Sequence, residues 1–371
     1  MSKFIPTLDR YIIGQRCWFF LFSVGLFSAL GVTIGTVSDL AYKITEYNLP
    51  IPIAILIFAY KIPEYVGYAL PISILLSSLI IYGRLSSDRE LVACLSFGIS
   101  LQRIILPTLV FSLSITAIAF LFNESIVPAT NYQANLLQNP FISETELNLI
   151  KRDIFYPEYE QSDRSAKTLK TIYFAEQYQN ETLQKVTIIA FVRGQIKQII
   201  TARLATWNSD RQTWNLIQGE LNQIDLDKAK ITTEQFTKRQ LSFSPTVFEI
   251  ARKNRSPDDM NIRQAKEYLN IIQDSGKKTD IAKFAVRIQQ KYAFPFICIV
   301  FAFIGSVIGA KYTQMNRSQG FGLCVAIVFA YYSLGFTFGS LGISGILSPF
   351  WAAWIPNFLG IITGGWLLTS N

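Results

Sequence analysis

The chain of 371 residues contains no histidine. That absence removes imidazole general-base catalysis, Ser-His-Asp chemistry and most zinc sites together. Cysteine is scarce: Cys17, Cys94, Cys298 and Cys324 lie in or beside apolar segments, and none has a CxxC neighbour. No disulfide framework or metal cluster is implied, and the four read as small buried hydrophobes. There is no Gly-x-x-x-x-Gly-Lys-Ser/Thr loop, so the chain is not a nucleotide-binding subunit. No pair of carboxylates stands out as an acid/base couple, and an enzyme is not expected. Charge is thin, with Asp, Glu, Lys and Arg making up 16% of the residues. The net charge of +8 is not gathered into a basic stripe with interleaved aromatics, so no nucleic-acid surface is expected.

What is present is apolar. Half of the residues are hydrophobic, and mean hydropathy is positive at +0.28, which places the chain in a membrane. Six runs are long enough to cross a hydrocarbon core of about 30 Å: Cys17–Val37, Ile53–Tyr82, Ile104–Phe122, Tyr292–Ala310, Gly320–Phe338 and Phe350–Leu368. The first follows Lys3, Arg10 and Arg16 but is too long for a signal-peptide core, so it reads as a retained span. Gly31-x-x-x-Gly35 and Gly305-x-x-x-Gly309 would allow helices to approach closely. Lys61 and Glu64, three residues apart in the second run, can pair on one helix face as the wall of a polar cavity or as a self-neutralised pair at the interface.

Basic residues set the orientation. Lys3, Arg10, Arg16, Arg84, Arg89, Arg103, Lys311 and Arg317 fall on one side, whereas the short loops of the other side carry only Lys43. Both termini are therefore expected in the cytoplasm and the long middle region outside it.

That middle region has strand character. Thr171–Ala175, Val186–Arg193, Ile196–Leu204, Thr213–Leu216 and Glu234–Phe243 are rich in β-branched and aromatic residues with local alternation. Trp207 to Trp214 brackets an Asn/Asp-rich hairpin turn. A sandwich, jelly roll or open barrel fits such short strands. A helix start at Ser256–Met260 and an amphipathic helix over Ile262–Gln273, stopping at Gly276, lead back to the membrane.

Between the second and third runs lies a short charged interlude, Ile81–Ser100. Ser87-Asp88-Arg89-Glu90 reads as a capping box, and Leu91, Val92 and Leu95 follow at helical spacing up to Gly98. A helix of roughly ten residues, about 15 Å long, is expected there.

In this order the residues resemble the LptF/LptG permease family. The resemblance runs from Leu8-Asp9-Arg10-Tyr11-Ile12 through Pro63-Glu64 and Ala69–Ser73. It is strongest over Gly83–Leu91 and Gly98–Ser100, and continues with Asn123-Glu124, Val127-Pro128, Met260, Phe294-Pro295-Phe296, Tyr331-Tyr332 and Ala353–Asn357. It implies a membrane α-helical bundle of six transmembrane helices, three plus three, with an inserted periplasmic all-β jellyroll-like domain. The divisions expected are 1–122 for the first half, with a coupling helix at about 86–98, then 123–255 for the β-domain, 256–290 for a helical connector and 291–371 for the second half.

By the same resemblance the chain is an inner-membrane permease of a Gram-negative-type cell, exporting lipopolysaccharide. Its partners would be a cytoplasmic ABC ATPase dimer, which binds ATP and Mg2+, a second LptF/LptG-type chain, and periplasmic jellyroll bridge proteins of the LptC/LptA type. Arg84, Asp88, Arg89, Glu90 and Leu91 are the implied ATPase-coupling residues, and the chain itself holds no cofactor. A lateral gate would lie between Cys17–Val37 of one subunit and Gly320–Phe338 of the other. Relatives often carry basic residues in the outer half of the first span; here only Lys43 and Lys61 are near. With Glu64 they are the lipid-cavity candidates. A permease for another lipid or glycolipid, and a non-transporting membrane-anchored adaptor, are the alternative readings.

Overall fold

The computed structural model describes residues 7–138, 152–161, 167–179, 182–192, 195–208, 213–225, 230–241, 260–272, 278–312 and 317–370. Six helical stretches are long and apolar enough to span a membrane: Asp9–Glu46, Ile51–Ser87, Leu101–Gln138, Thr279–Lys311, Ser318–Ile343 and Pro349–Thr369. The helices are α1 (Thr7–Val32), α2 (Ser38–Glu46), α3 (Ile51–Ser87), α4 (Glu90–Ser96), α5 (Leu101–Leu121) and α6 (Val127–Gln138). After a β-sheet come α7 (Ile262–Ile272), α8 (Lys278–Lys311), α9 (Arg317–Ile343) and α10 (Pro349–Thr369). The chain divides into two units, Met1–Phe141 with Ala285–Asn371, and Ile142–Phe284. The fold is a six-helix membrane bundle with an inserted β-domain.

The spans extend beyond their apolar runs. A π-helical turn at Thr33–Val37 joins α1 to α2, and another at Phe122–Ile126 joins α5 to α6. The polar pair Asn123-Glu124, expected to leave the membrane domain, lies in that second turn. The helix persists because Ala134 and Leu137 pack with Leu40, Leu49, Ala54 and Ile57 at this end of the bundle. Asn123 has a further role. Pro295 has no amide hydrogen, so the carbonyl of Lys291, four residues earlier, loses its helical donor. The Asn123 Nδ2 donates to that carbonyl at 3.1 Å. Nearby, Tyr331 on α9 donates to Asn357 Oδ1 at 2.7 Å, and Asn357 Nδ2 donates to the Ala293 carbonyl at 3.0 Å. Polar joints thus tie α5, α9 and α10 to α8.

α3 and α8 form the centre. In their most apolar stretches 78% and 72% of the residues are buried, against 6% for α9. The second small-residue motif acts as read from the sequence, whereas the space at the first is filled by a side chain. A Cβ on Gly305 would come within 2.8 Å of Ser78 Cβ and 3.0 Å of the Leu75 carbonyl, so α8 lies directly on the α3 backbone. Gly31 and Gly35 make room for the Tyr65 ring, whose hydroxyl accepts from Thr36 Oγ1 at 3.2 Å.

The inserted sheet consists of β1 (Arg152–Gln161), β2 (Lys167–Gln179), β3 (Thr182–Val192), β4 (Gln195–Asn208), β5 (Thr213–Asp225) and β6 (Lys230–Leu241). Each strand pairs antiparallel with its sequence neighbour. The expected all-β insert is therefore present, but among the described strands it is a single-sheet meander without the Greek-key crossover of a jelly roll. Tyr173, Val186, Ile188, Ile200, Trp214 and Leu216 build its core, and Trp207 faces Trp214 across the expected hairpin. β1 escaped the pattern. It carries Pro157, a residue confined to edge strands and bulges, and its register shifts at Glu158/Tyr159.

The hairpin turn at 209–212, Gly194, the expected helix start at 256–259 and the stop at Gly276 lie outside the described residues. α7 itself begins with a reciprocal capping box. Asn261 Oδ1 accepts from the Gln264 amide at 2.7 Å, and Gln264 Oε1 accepts from the Asn261 amide at 3.1 Å. Buried Met260 precedes it.

In the same unit Tyr268 packs against Phe284 with ring centroids 4.7 Å apart. Burial, and secondarily the nearby Asp280 carboxylate, push its phenol up from 10.0 to about 12. The folded state prefers the neutral phenol, so this contribution is complete below pH 10 and is lost as pH rises through about 12. Tyr268→Phe is expected to abolish that alkaline loss of α7 packing, as followed by hydrogen exchange across pH 9 to 12.

Candidate functional site

The charged interlude folds as a sharp joint between α3 and α5. The α3 ladder continues until the Asp88 amide donates to the Arg84 carbonyl at 2.8 Å, so Ser87 has a helical backbone. An N-cap needs an extended one, and the capping box expected at Ser87–Glu90 is not the start of α4. Arg89 occupies that position with φ +61°, and its side chain makes no cap bond. The helix is accordingly seven residues long rather than ten. Its end follows the sequence reading. Gly98 has φ +79°, the Ile99 amide donates to the Cys94 carbonyl, and the Gly98 amide donates to that of Leu95. This is a Schellman closure.

Within α4, Leu91 points into a core shared with Ile12, Ile81, Leu85 and Ile104. Val92, Leu95 and Phe97 remain exposed, Phe97 at 86%. A short helix is thus pinned by Leu91, with Cys94 packed beside it, and presents apolar side chains outward at the end of the bundle.

The polar residues around it form a network. Glu90 accepts from the Tyr11 hydroxyl, which lies 3.2 Å from each carboxylate oxygen. Arg84 Nη2 donates to that hydroxyl at 3.3 Å and to Gln15 Oε1 at 2.5 Å. Arg84 Nε lies 3.8 Å from Asp88. Alongside, Arg103 donates to both oxygens of Asp9 at 2.9 Å in a bidentate fork. Of the coupling residues read from the sequence, Arg84, Asp88, Glu90 and Leu91 are brought together, whereas Arg89 is exposed on the turn. Asp9, Tyr11, Gln15 and Arg103 were missed. One signal was available: Tyr11 and Gln15 are four residues apart, hence on one helix face.

Arg16 was read only as a flanking charge, yet it is fully buried. It donates to Thr108 Oγ1 and Ser78 Oγ, reaches the Ile74 carbonyl at 3.4 Å, and lies 5.4 Å from the Phe111 ring centroid. The proton count is consistent. Tyr82 donates to the Ile104 carbonyl at 2.9 Å, so Thr108 donates to Tyr82 at 2.7 Å and keeps a lone pair for Arg16. Ser78 donates to the Ile74 carbonyl at 2.6 Å and does likewise. Hydroxyls and a carbonyl therefore surround this cation, and among the described residues its Nε has no hydrogen-bond partner.

The lipid-cavity candidates fall into two separate pairings. Lys43 is buried at the far end of the first span, 2.8 Å from Asp39 and 3.4 Å from Gln138 Oε1. Lys61 and Glu64 pair at 3.1 Å, each side chain about one-fifth exposed. Among the described residues no group of three or more Cys, Asp or Glu gathers to hold a metal.

Comparison with known proteins bears on the whole chain. Residues 10–370 match the family model described as "Lipopolysaccharide export system permease LptF/LptG". The chain is also similar to "Lipopolysaccharide export system permease protein LptG" of Haemophilus influenzae, with 22% identity over 384 residues and 99% of each chain covered.

Proposed function

The chain belongs to the lipopolysaccharide export system permease LptF/LptG family, and from that membership we propose that it is the permease subunit of an ATP-driven lipopolysaccharide exporter. It takes lipopolysaccharide from the outer leaflet of the inner membrane and passes it to periplasmic jellyroll bridge proteins. A cytoplasmic ABC ATPase dimer binds the ATP and Mg2+, and a second LptF/LptG-type chain completes the transmembrane path. The orientation drawn from the basic residues puts both termini and α4 in the cytoplasm and the β-domain in the periplasm.

The observation that carries this reading is α4. Leu91 is sunk in the core while Val92, Leu95 and Phe97 are exposed beside a charged network. Apolar side chains of this kind at a water-facing bundle end are a partner's docking surface, and the ATPase is the partner that fits. The exposed flanks of α1 and α9 supply the lateral faces toward the lipid and the second chain. Lys43 is engaged by Asp39 and Gln138 and Lys61 by Glu64, so a headgroup phosphate would compete with a carboxylate for either cation. That engagement favours one second reading, a headgroup poorer in phosphate than the usual one.

Glu90→Lys tests the docking. It reverses the charge and sets a second cation beside Arg84 and Tyr11. A charge-assisted hydrogen bond contributes about tenfold or more to an equilibrium, so affinity-purified Glu90→Lys is expected to bring down about tenfold less ATPase than the wild-type chain. Equal recovery from both would favour a membrane-anchored adaptor.

A further inference from the structure

Glu90 is bound within its own chain before anything docks. The Tyr11 hydroxyl carries one proton. Because its oxygen accepts from Arg84 at 3.3 Å, that proton is shared by the two Glu90 oxygens at 3.2 Å. Arg84 is held in turn by Gln15, one turn further along α1. Ile12, between them, is 1% exposed in the cluster that also takes Leu91. The first turns of α1 are therefore joined to α4 in two ways, through an apolar contact and through the chain Glu90–Tyr11–Arg84–Gln15. Only the second has direction. An apolar contact survives a rotation or slide of α4, whereas hydrogen bonds weaken steeply once misaligned.

Beyond this joint, the outward face of α1 has little protein against it. Trp18 is 77% exposed and Phe22 66%, and Ile34, in the π-helical turn that follows, is 76% exposed. A displacement imposed at α4 thus has an attached near end of α1 to act on and a lightly covered far portion to move.

We infer that Tyr11 is a positioning residue that transmits movement of α4 to the first span, with Glu90 and Arg84 as its two handles. This inference rests on the exporter reading, in which the ATPase acts on α4. One carboxylate can serve both contacts, since it has about four acceptor sites and Tyr11 supplies a single proton.

The test uses the complete complex of this chain with its ATPase and second permease chain in proteoliposomes, and reads lipopolysaccharide released per ATP hydrolysed. Tyr11→Phe removes one oxygen from a side chain that is 42% exposed and leaves the ring in place. The ratio is expected to fall about tenfold with the ATPase still in the complex. The Tyr11→Phe, Glu90→Ala double variant is expected to fall no lower than Glu90→Ala alone, because Glu90→Ala already removes the acceptor of the Tyr11 hydroxyl. An unchanged ratio in Tyr11→Phe, or additive losses in the double variant, would overturn the inference and leave the exporter reading intact. Loss of the ATPase from the Tyr11→Phe complex would overturn it as well, since the hydroxyl would then serve docking. A wild-type complex that hydrolyses ATP and releases no lipid would remove the exporter reading itself, before any substitution is made.

Discussion

Removing the hydroxyls around Arg16 is expected to cost far more than removing Arg16. In a Ser78→Ala, Thr108→Val double variant the guanidinium keeps only the Ile74 carbonyl at 3.4 Å and the Phe111 ring. An uncompensated charge in a dry interior costs about 3–5 kcal/mol, and arginine cannot shed its proton to escape. Arg16→Met removes the charge and leaves every neighbour with a partner, because Ser78 still bonds the Ile74 carbonyl and Thr108 still bonds Tyr82. A thioether against Phe111 restores part of the ring contact. The expected order of thermal stability in detergent is Arg16→Met at or near wild type, with the double variant well below both. The reverse order would mean that the cation has a counter-charge in the folded protein.

The second large effect concerns the centre of the bundle. A Cβ on Gly309 would lie 2.9 Å from Tyr82 Cβ, 3.0 Å from the Leu79 carbonyl and 3.1 Å from the Gly83 amide. Two of those neighbours are backbone atoms of a 37-residue helix, which cannot step aside as a side chain could. Gly309→Ala is expected to destabilise by about 1–3 kcal/mol, the usual range for overpacking. Gly309→Leu is expected to part α8 from α3 and abolish recovery of folded chain from membranes. Gly322→Ala on α9 is the matched control. Nothing lies within 4 Å of its Cβ, and an exposed helical glycine replaced by alanine gains about 0.5–1 kcal/mol. Equal effects at 309 and 322 would show that helix propensity, and not close approach, decides the outcome.

Hydrophobic run length made all six spans legible, and small-residue spacing identified the close approach at Gly305/Gly309 and the space at Gly31/Gly35. The span ends were not legible. Asn123-Glu124 looks like an exit from the membrane, but it lies in a π-helical turn that presents Asn123 to a carbonyl freed by Pro295, 172 residues away in sequence. No local pattern encodes such a joint. The capping boxes show the same limit. Ser87–Glu90 has the right residues, but continuation of α3 overrides them, while Asn261–Gln264 forms the box with a less usual pair. At the site, Glu90 and Leu91 were legible from charge, spacing and resemblance. Tyr11 was not singled out, because its partner is 79 residues distant. Arg16 reads as a flanking cation until the structure places it among hydroxyls from α3 and α5.

The most direct measurement is affinity purification of the chain from its native membrane in mild detergent, followed by mass spectrometry of both proteins and lipids. A stoichiometric ABC ATPase, a second six-span chain and bound lipopolysaccharide are expected together. A preparation holding none of the three would contradict the exporter reading and leave the family match as a statement of ancestry.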